Sequence, residues 1–292
     1  MRTSITPGQV WLDTDGHRIQ AHGGSILEVD GTFYWYGENK ERSTPGSGIW
    51  HWGVRCYSSP DLYNWTDQGL IIPPDVDDPM SPLHPAMSMD RPHILHHPDS
   101  GVFVCWLKVM SATGQRSTVL VADDILGPFR VVARDLKPLG MNAGDFDLVV
   151  DPTDGKGYYY FERVHSELIC ADLTEDFTNV TGYYSTHFPL VQPPHVREAP
   201  AYFTRNGRHF LVTSGTTGYY PNPSEVAERP ELPRPVAGAQ RSASGRPDPY
   251  LLPVAGQLSV QAPGQAGPVH RPRGPVVAPL HRVQRGGDHH AR

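Results

Sequence analysis

The chain has 292 residues, with 25 basic side chains against 31 acidic ones and a formal net charge of -6. That balance argues against a polyanionic partner such as nucleic acid, and no apolar run approaches the ~20 residues that a membrane span needs. The length suits one large all-β domain or two smaller ones. The start at Met1-Arg2-Thr3-Ser4 has no basic-then-apolar leader, so it reads as cytoplasmic, or as secreted if a leader lies upstream.

In chain order, one hairpin module recurs four times, each with a polar or acidic residue leading its first strand. His22-Gly23-Gly24-Ser25-Ile26 runs to Asp30-Gly31-Thr32-Phe33-Tyr34-Trp35-Tyr36, and Asp90-Arg91-Pro92-His93-Ile94 runs to Ser100-Gly101-Val102-Phe103-Val104-Cys105-Trp106. Asp145-Phe146-Asp147-Leu148-Val149 runs to Asp154-Gly155-Lys156-Gly157-Tyr158-Tyr159-Tyr160, and Glu198-Ala199-Pro200-Ala201-Tyr202-Phe203 runs to Asn206-Gly207-Arg208-His209-Phe210-Leu211-Val212. A short apolar strand, a Gly-containing turn and an aromatic-rich strand form the sequence pattern of a β-hairpin. A period of roughly 50 residues points to blade-like repeats. Radial blades would gather the four leading residues at a central axis.

Each of the first three hairpins is followed by a β-run into an acidic turn that ends on an aromatic. These runs are Arg55-Cys56-Tyr57 to Trp65, Val119-Leu120-Val121 to Phe129, and Leu168-Ile169-Cys170 to Phe177. They predict the outer strands of three blades, and the near absence of helical periodicity predicts an all-β class. Cys56, Cys105 and Cys170 lie in predicted strands without metal-ligand spacing and read as buried free thiols.

The fourth hairpin should acquire its outer strands from about Ser224-Glu225-Val226-Ala227. From Glu228 to Arg292, however, the chain is Pro, Arg, Ala, Gly, Val and Gln-rich, lacks Phe, Trp, Ile and Met, and has Tyr250 as its sole Phe, Tyr or Trp residue. Too little apolar area is available there to offset ordering entropy, so disorder is expected. The abrupt break within an element favours a reading-frame shift in a GC-rich gene over a functional Pro/Arg-rich tail. The expected domains are a propeller over 1–227 and a tail over 228–292.

These residues resemble glycoside hydrolase family 43, five-bladed propeller hydrolases of plant polysaccharides. Asp13-Thr14-Asp15-Gly16-His17-Arg18-Ile19-Gln20-Ala21-His22-Gly23-Gly24, with Tyr34-Trp35-Tyr36-Gly37-Glu38-Asn39, is similar to the exo-acting galactan 1,3-β-galactosidase branch. The likeness covers Val10 to Ala227. It implies a five-bladed β-propeller, here incomplete at about three and a half blades. The implied activity is exo-hydrolysis of β-1,3-galactan with inversion, on an oligosaccharide or polysaccharide substrate and without a cofactor. Arabinan or xylan remains open as the substrate, as does the oligomeric state. The alternative is a non-catalytic or carbohydrate-binding truncated propeller, or an inactive pseudogene product.

An inverting mechanism needs an acid, a base and a water held between them, and an acid that stays protonated near neutral pH. By the resemblance, Glu198, leading Glu198-Ala199-Pro200, matches the acid. Asp145, six residues before Asp151, matches the carboxylate that tunes it. Asp147 is the neighbouring alternative, because strand alternation places both on one face. Asp90 stands where the branch carries a Glu before Arg-Pro, and Arg91 reads equally as its salt-bridge partner. Glu38 reads as a holder of sugar hydroxyls or as an exposed strand end. Trp35, Trp50, Trp52 and Trp106 read as sugar-stacking faces or as core. The stretch Gln20-Ala21-His22-Gly23-Gly24 has no carboxylate to act as the base. The branch implies instead an amide from the last blade, where Gln240 has no supporting context. His22 reads as a hub histidine that bonds its neighbours or helps bind a central ion, and otherwise as a substitute base. No metal site is expected.

Overall fold

The computed structural model describes residues 2–229, apart from 112–113, 153, 189–191 and 219. Gln240 and residues 230–292 of the tail lie outside the described residues. The described chain is all-β save for a single 3-10 turn, and forms four antiparallel sheets in propeller arrangement, each a meander in sequence order. The first sheet contains β1 (His22–Val29), β2 (Thr32–Glu38), β3 (Val54–Ser59) and β4 (Thr66–Ile72). The second contains β5 (Ser88–His96), β6 (Phe103–Ser111), β7 (Gly114–Ala122) and β8 (Arg130–Leu136). The third contains β9 (Ala143–Val150), β10 (Gly157–Arg163), β11 (Glu167–Leu173) and β12 (Val180–His187). The fourth contains β13 (Arg197–Arg205), β14 (Arg208–Gly215) and β15 (Glu225–Arg229).

The hairpins close where the sequence carries the right turn residues. Asp30-Gly31 and Asn206-Gly207 both have positive φ at the two central positions (49° and 76°, 53° and 70°). That is the two-residue loop whose twist matches the flanking strands. The strand expected at Ser224–Ala227 is β15, which pairs with β14 through His209↔Arg229 and so extends to Arg229.

The first strand of each sheet is innermost, with neighbouring contacts in the order β1, β5, β9, β13. Together these strands line a central channel of about 520 Å³. The core lies between successive sheets. Tyr36, Met89, Ile94 and Leu107 fill the first interface, and Trp106, Val121, Phe146 and Tyr159 the second. Tyr160, Cys170 and Leu211 with Tyr202 fill the third. All three cysteines are buried and none forms a disulfide.

Of the tryptophans read as sugar platforms, Trp106 belongs to this core and Trp35 packs against a separate cluster of Ile19, Tyr57 and Trp65. Trp106 is fully buried, its indole N–H donating to the Phe177 carbonyl at 2.8 Å and its ring 4.9 Å from Tyr159. Trp35 lies on the opposite face of β2 from Tyr36, sandwiched between Trp11 (4.9 Å) and Trp65 (5.4 Å). Trp106 therefore has no face open to a sugar, while Trp35 is partly buried against the aromatic cluster of Tyr57 and Trp65.

A β-bulge recurs near the start of every inner strand. Between His22↔Glu38 and Ser25↔Tyr36 the inner strand holds one residue more than its partner. The same surplus separates Asp90↔Lys108 from His93↔Trp106, Ala143↔Arg163 from Phe146↔Phe161, and Glu198↔Ser214 from Ala201↔Val212. A bulge bends the strand and re-aims its side chains. The register thus makes His22, Asp90, Ala143 and Glu198 equivalent. Asp145 is not the fourth member of the leading set, since it projects from within its bulge two positions later.

Candidate active site at the hub mouth

The bulges gather charged side chains from four strand ends. Asp145 accepts from Arg91 Nη2 at 2.5 Å and from Lys108 Nζ at 3.0 Å. Burial opposes its ionisation, but these two cations prevail and hold its pKa below the usual carboxylate value. Lys108 also faces Asp90 at 3.6 Å, and Trp50 donates its indole N–H to Asp90 at 2.9 Å. Arg91 therefore pairs with Asp145 and not with its neighbour Asp90. Burial and the nearby Glu38 raise the pKa of Asp90.

Glu198 is half-buried on β13. Burial first, and then the charges of Asp145 and Glu162, push its pKa up to about 7. Glu162, at the end of β10, and His165 in the following turn stand beside it. One oxygen or nitrogen from each of Glu162, His165 and Glu198 lies within 4.8 Å of the others.

Asp147 has a different task. Its carboxylate faces His93 Nδ1 at 3.1 Å and accepts the Tyr202 backbone N–H at 2.6 Å, on the wall of the central channel. The bulge at Gly144-Asp145 breaks the alternation that would place Asp145 and Asp147 in one environment. Asp145 faces the mouth cations, while Asp147 ties the third sheet to the second and fourth.

Glu38 is fully buried, so it is neither an exposed strand end nor a group open to sugar hydroxyls. It accepts from the Arg91 backbone N–H at 3.1 Å and meets Lys40 Nζ at 2.6 Å and His22 Nδ1 at 3.5 Å. Burial works against its charge, but the His22 and Lys40 contacts hold its pKa low. Its carboxylate clamps the first sheet to the second. The His22 side chain remains 59% exposed. Trp50, with Lys40 Nζ 4.5 Å from its ring centroid, is the tryptophan that reaches the site through Asp90, while Arg42 covers Trp52 at 3.8 Å.

Sequence reasoning passed over Lys108, Glu162 and His165. The first two had a readable signal, a lone charge in the run Val104-Cys105-Trp106-Leu107-Lys108-Val109 and another closing Tyr158-Tyr159-Tyr160-Phe161-Glu162. A charge inside an apolar strand must find a partner or bear a desolvation penalty.

The fold is thus an all-β propeller with charged groups converging at the mouth of its axis. The sequence profile of the glycosyl hydrolases family 43 matches residues 19–292, and the chain belongs to that family. Solved structures similar to it include a GH43 β-1,3-galactosidase at 30% identity and TM-score 0.68, with 80% of this chain and 48% of that one covered. A second GH43 β-1,3-galactosidase, solved with galactodeoxynojirimycin, is 30% identical with TM-score 0.67 and 78% of each chain covered. The exo-β-1,3-galactanase of Phanerochaete chrysosporium, a glutamate-to-glutamine variant with β-1,3-galactotriose, is 28% identical with TM-score 0.69, and 79% of this chain and 52% of that one are covered. The chain thus spans about half the length of the first and third of these proteins. No curated protein sequence matches it.

Proposed function

We propose that the hub mouth is the site of an exo-acting, inverting glycoside hydrolase of β-1,3-galactan, with Glu198 as general acid and Asp145 as the carboxylate that tunes it. The observation that carries this reading is the split between the two carboxyls: Glu198 keeps its proton up to about pH 7, while Asp145 is held ionised by Arg91 and Lys108. Titratable groups driven apart in this way are how one site supplies an acid at neutral pH.

In the reaction, Glu198 gives its proton to the glycosidic oxygen as the anomeric C–O bond breaks, water adds to the opposite face of the sugar, and the proton that water releases returns through solvent to reload Glu198. Asp90, with Trp50 and Lys108 beside it, would in this reading meet sugar hydroxyls. Among the described residues none is assigned as the base, for which the family resemblance calls for an amide from the last blade. In the same reading the fold is a five-bladed propeller, here incomplete at about three and a half blades, with the Pro/Arg-rich 228–292 segment as a tail. The galactodeoxynojirimycin and β-1,3-galactotriose of the related structures support the substrate class.

One observation favours a second reading, a propeller that binds galactan without cleaving it. At the first-sheet mouth the leading residue is His22, and Glu38 behind it is sealed. Incubation with β-1,3-galactan, with the product anomer followed by NMR, tests both. Release of α-galactose at first, reduced about a hundred- to ten-thousand-fold by Glu198→Gln, supports the hydrolase. Calorimetric binding without any release would establish the second reading.

A further inference from the structure

Behind Glu198 stands a carboxyl that the reaction above leaves without a task. Glu162 is buried, its side chain 4% exposed. Its Oε1 accepts the His165 backbone N–H at 2.5 Å and faces His165 Nδ1 at 3.2 Å. Its Oε2 lies over Gly144, where a Cβ would stand 2.1 Å away. Gly23, Arg91 and Ala199, the register equivalents of Gly144 in the other bulges, all have positive φ, whereas Gly144 does not. Blade three therefore needs glycine for the space that Glu162 fills and not for backbone freedom.

From this notch the Glu162 carboxyl reaches within 4.8 Å of both Glu198 and His165. Asp145, the other acidic neighbour, has its charge balanced by two cations. Around Glu198 the charged groups are Asp145, Glu162, Arg91, His165 and the adjacent Arg197, and around Glu162 they are His165, Asp145 and Lys108.

We propose that Glu162, seated in the Gly144 notch, is a positioning residue for Glu198: its carboxyl, within 4.8 Å, disfavours a second negative charge beside it and keeps Glu198 loaded for transfer. This rests on reading Glu198 as the acid. Two carboxyls this close titrate as a pair, and the second ionisation is disfavoured by the first. His165 sits at the open side of the pair, its side chain 62% exposed.

The test is a carbon-13 NMR titration of the Glu198 carboxyl in the full chain. Glu162→Gln, which keeps the shape of the side chain, lowers the Glu198 midpoint by about one pH unit. Glu162→Asp, which keeps the charge but draws it back by a methylene, lowers it by less. Gly144→Ala fills the notch and reproduces the Gln result. An unchanged midpoint in Glu162→Gln, or in Glu162→Asp if the first variant does not fold, overturns the proposal. If the midpoint falls while the basic limb of galactan turnover stays in place, the pair stands and the assignment of Glu198 as acid fails.

Discussion

Glu198 carries opposite consequences for activity and stability. Its folded pKa of about 7 lies above the ordinary glutamate value of 4.5. As pH rises past the ordinary value, the unfolded chain ionises there while the folded chain still holds its proton. The folded state is penalised progressively up to about pH 7 and fully above it. Glu198→Gln therefore raises the thermal midpoint at alkaline pH and leaves it unchanged at strongly acidic pH, as scanning calorimetry at two pH values would register. Wild-type galactan turnover falls as pH rises through about 7, because the acid is lost, and a profile flat across that range would remove Glu198 from the role. Asp145 works in the other sense. Its folded pKa is depressed, so its stabilisation is present above the unfolded carboxylate pKa and is lost as pH falls through the lower folded value. Glu198 and Asp145 could be singled out from the sequence by resemblance. Their protonation states could not, because Arg91, Lys108 and Glu162 approach them from different strands.

At the scale of the element, strands and turns were legible because their signals are local. Asp30-Gly31 and Asn206-Gly207 fix two hairpins within four residues each. The bulges were not legible. An extra residue at Gly23, Arg91 or Ala199 leaves the apolar pattern on either side intact and shifts only the register between strands. The Asp145 and Asp147 ambiguity arose there, since simple alternation runs straight through the Gly144 bulge. Lys108 illustrates the cost of strand-end charges. Only 7% exposed, it neutralises Asp145 and faces Asp90. Lys108→Met leaves Asp145 with Arg91 alone and takes from Asp90 the ammonium that faces it, and should cost roughly 3–5 kcal/mol in urea unfolding. Adding Asp145→Asn should restore part of that loss. If Lys108→Met alone is neutral, the pair carries no stability.

Across the whole molecule, the intersheet core is dense around the second sheet and thinner at the fourth. Trp106→Ala should cost about 3–5 kcal/mol, because a fully buried indole leaves a cavity at the interface of the second and third sheets. Phe203→Ala, at a side chain 43% exposed on β13, should change stability by less than about 1 kcal/mol. Equal losses would mean that the fourth sheet is as firmly packed as the second. The sequence by itself determined the all-β class, the four hairpins, the buried thiols and the family, because alternation, turn residues and motif order are written within short windows. Tertiary structure alone decided that Trp106 is core and Trp35 packs against a separate cluster, that Glu38 is a clamp, that Arg91 serves Asp145, and that Glu162 stands behind Glu198. Each of those outcomes depends on which strand ends meet at the axis, and burial and charge pairing exist only after they have met.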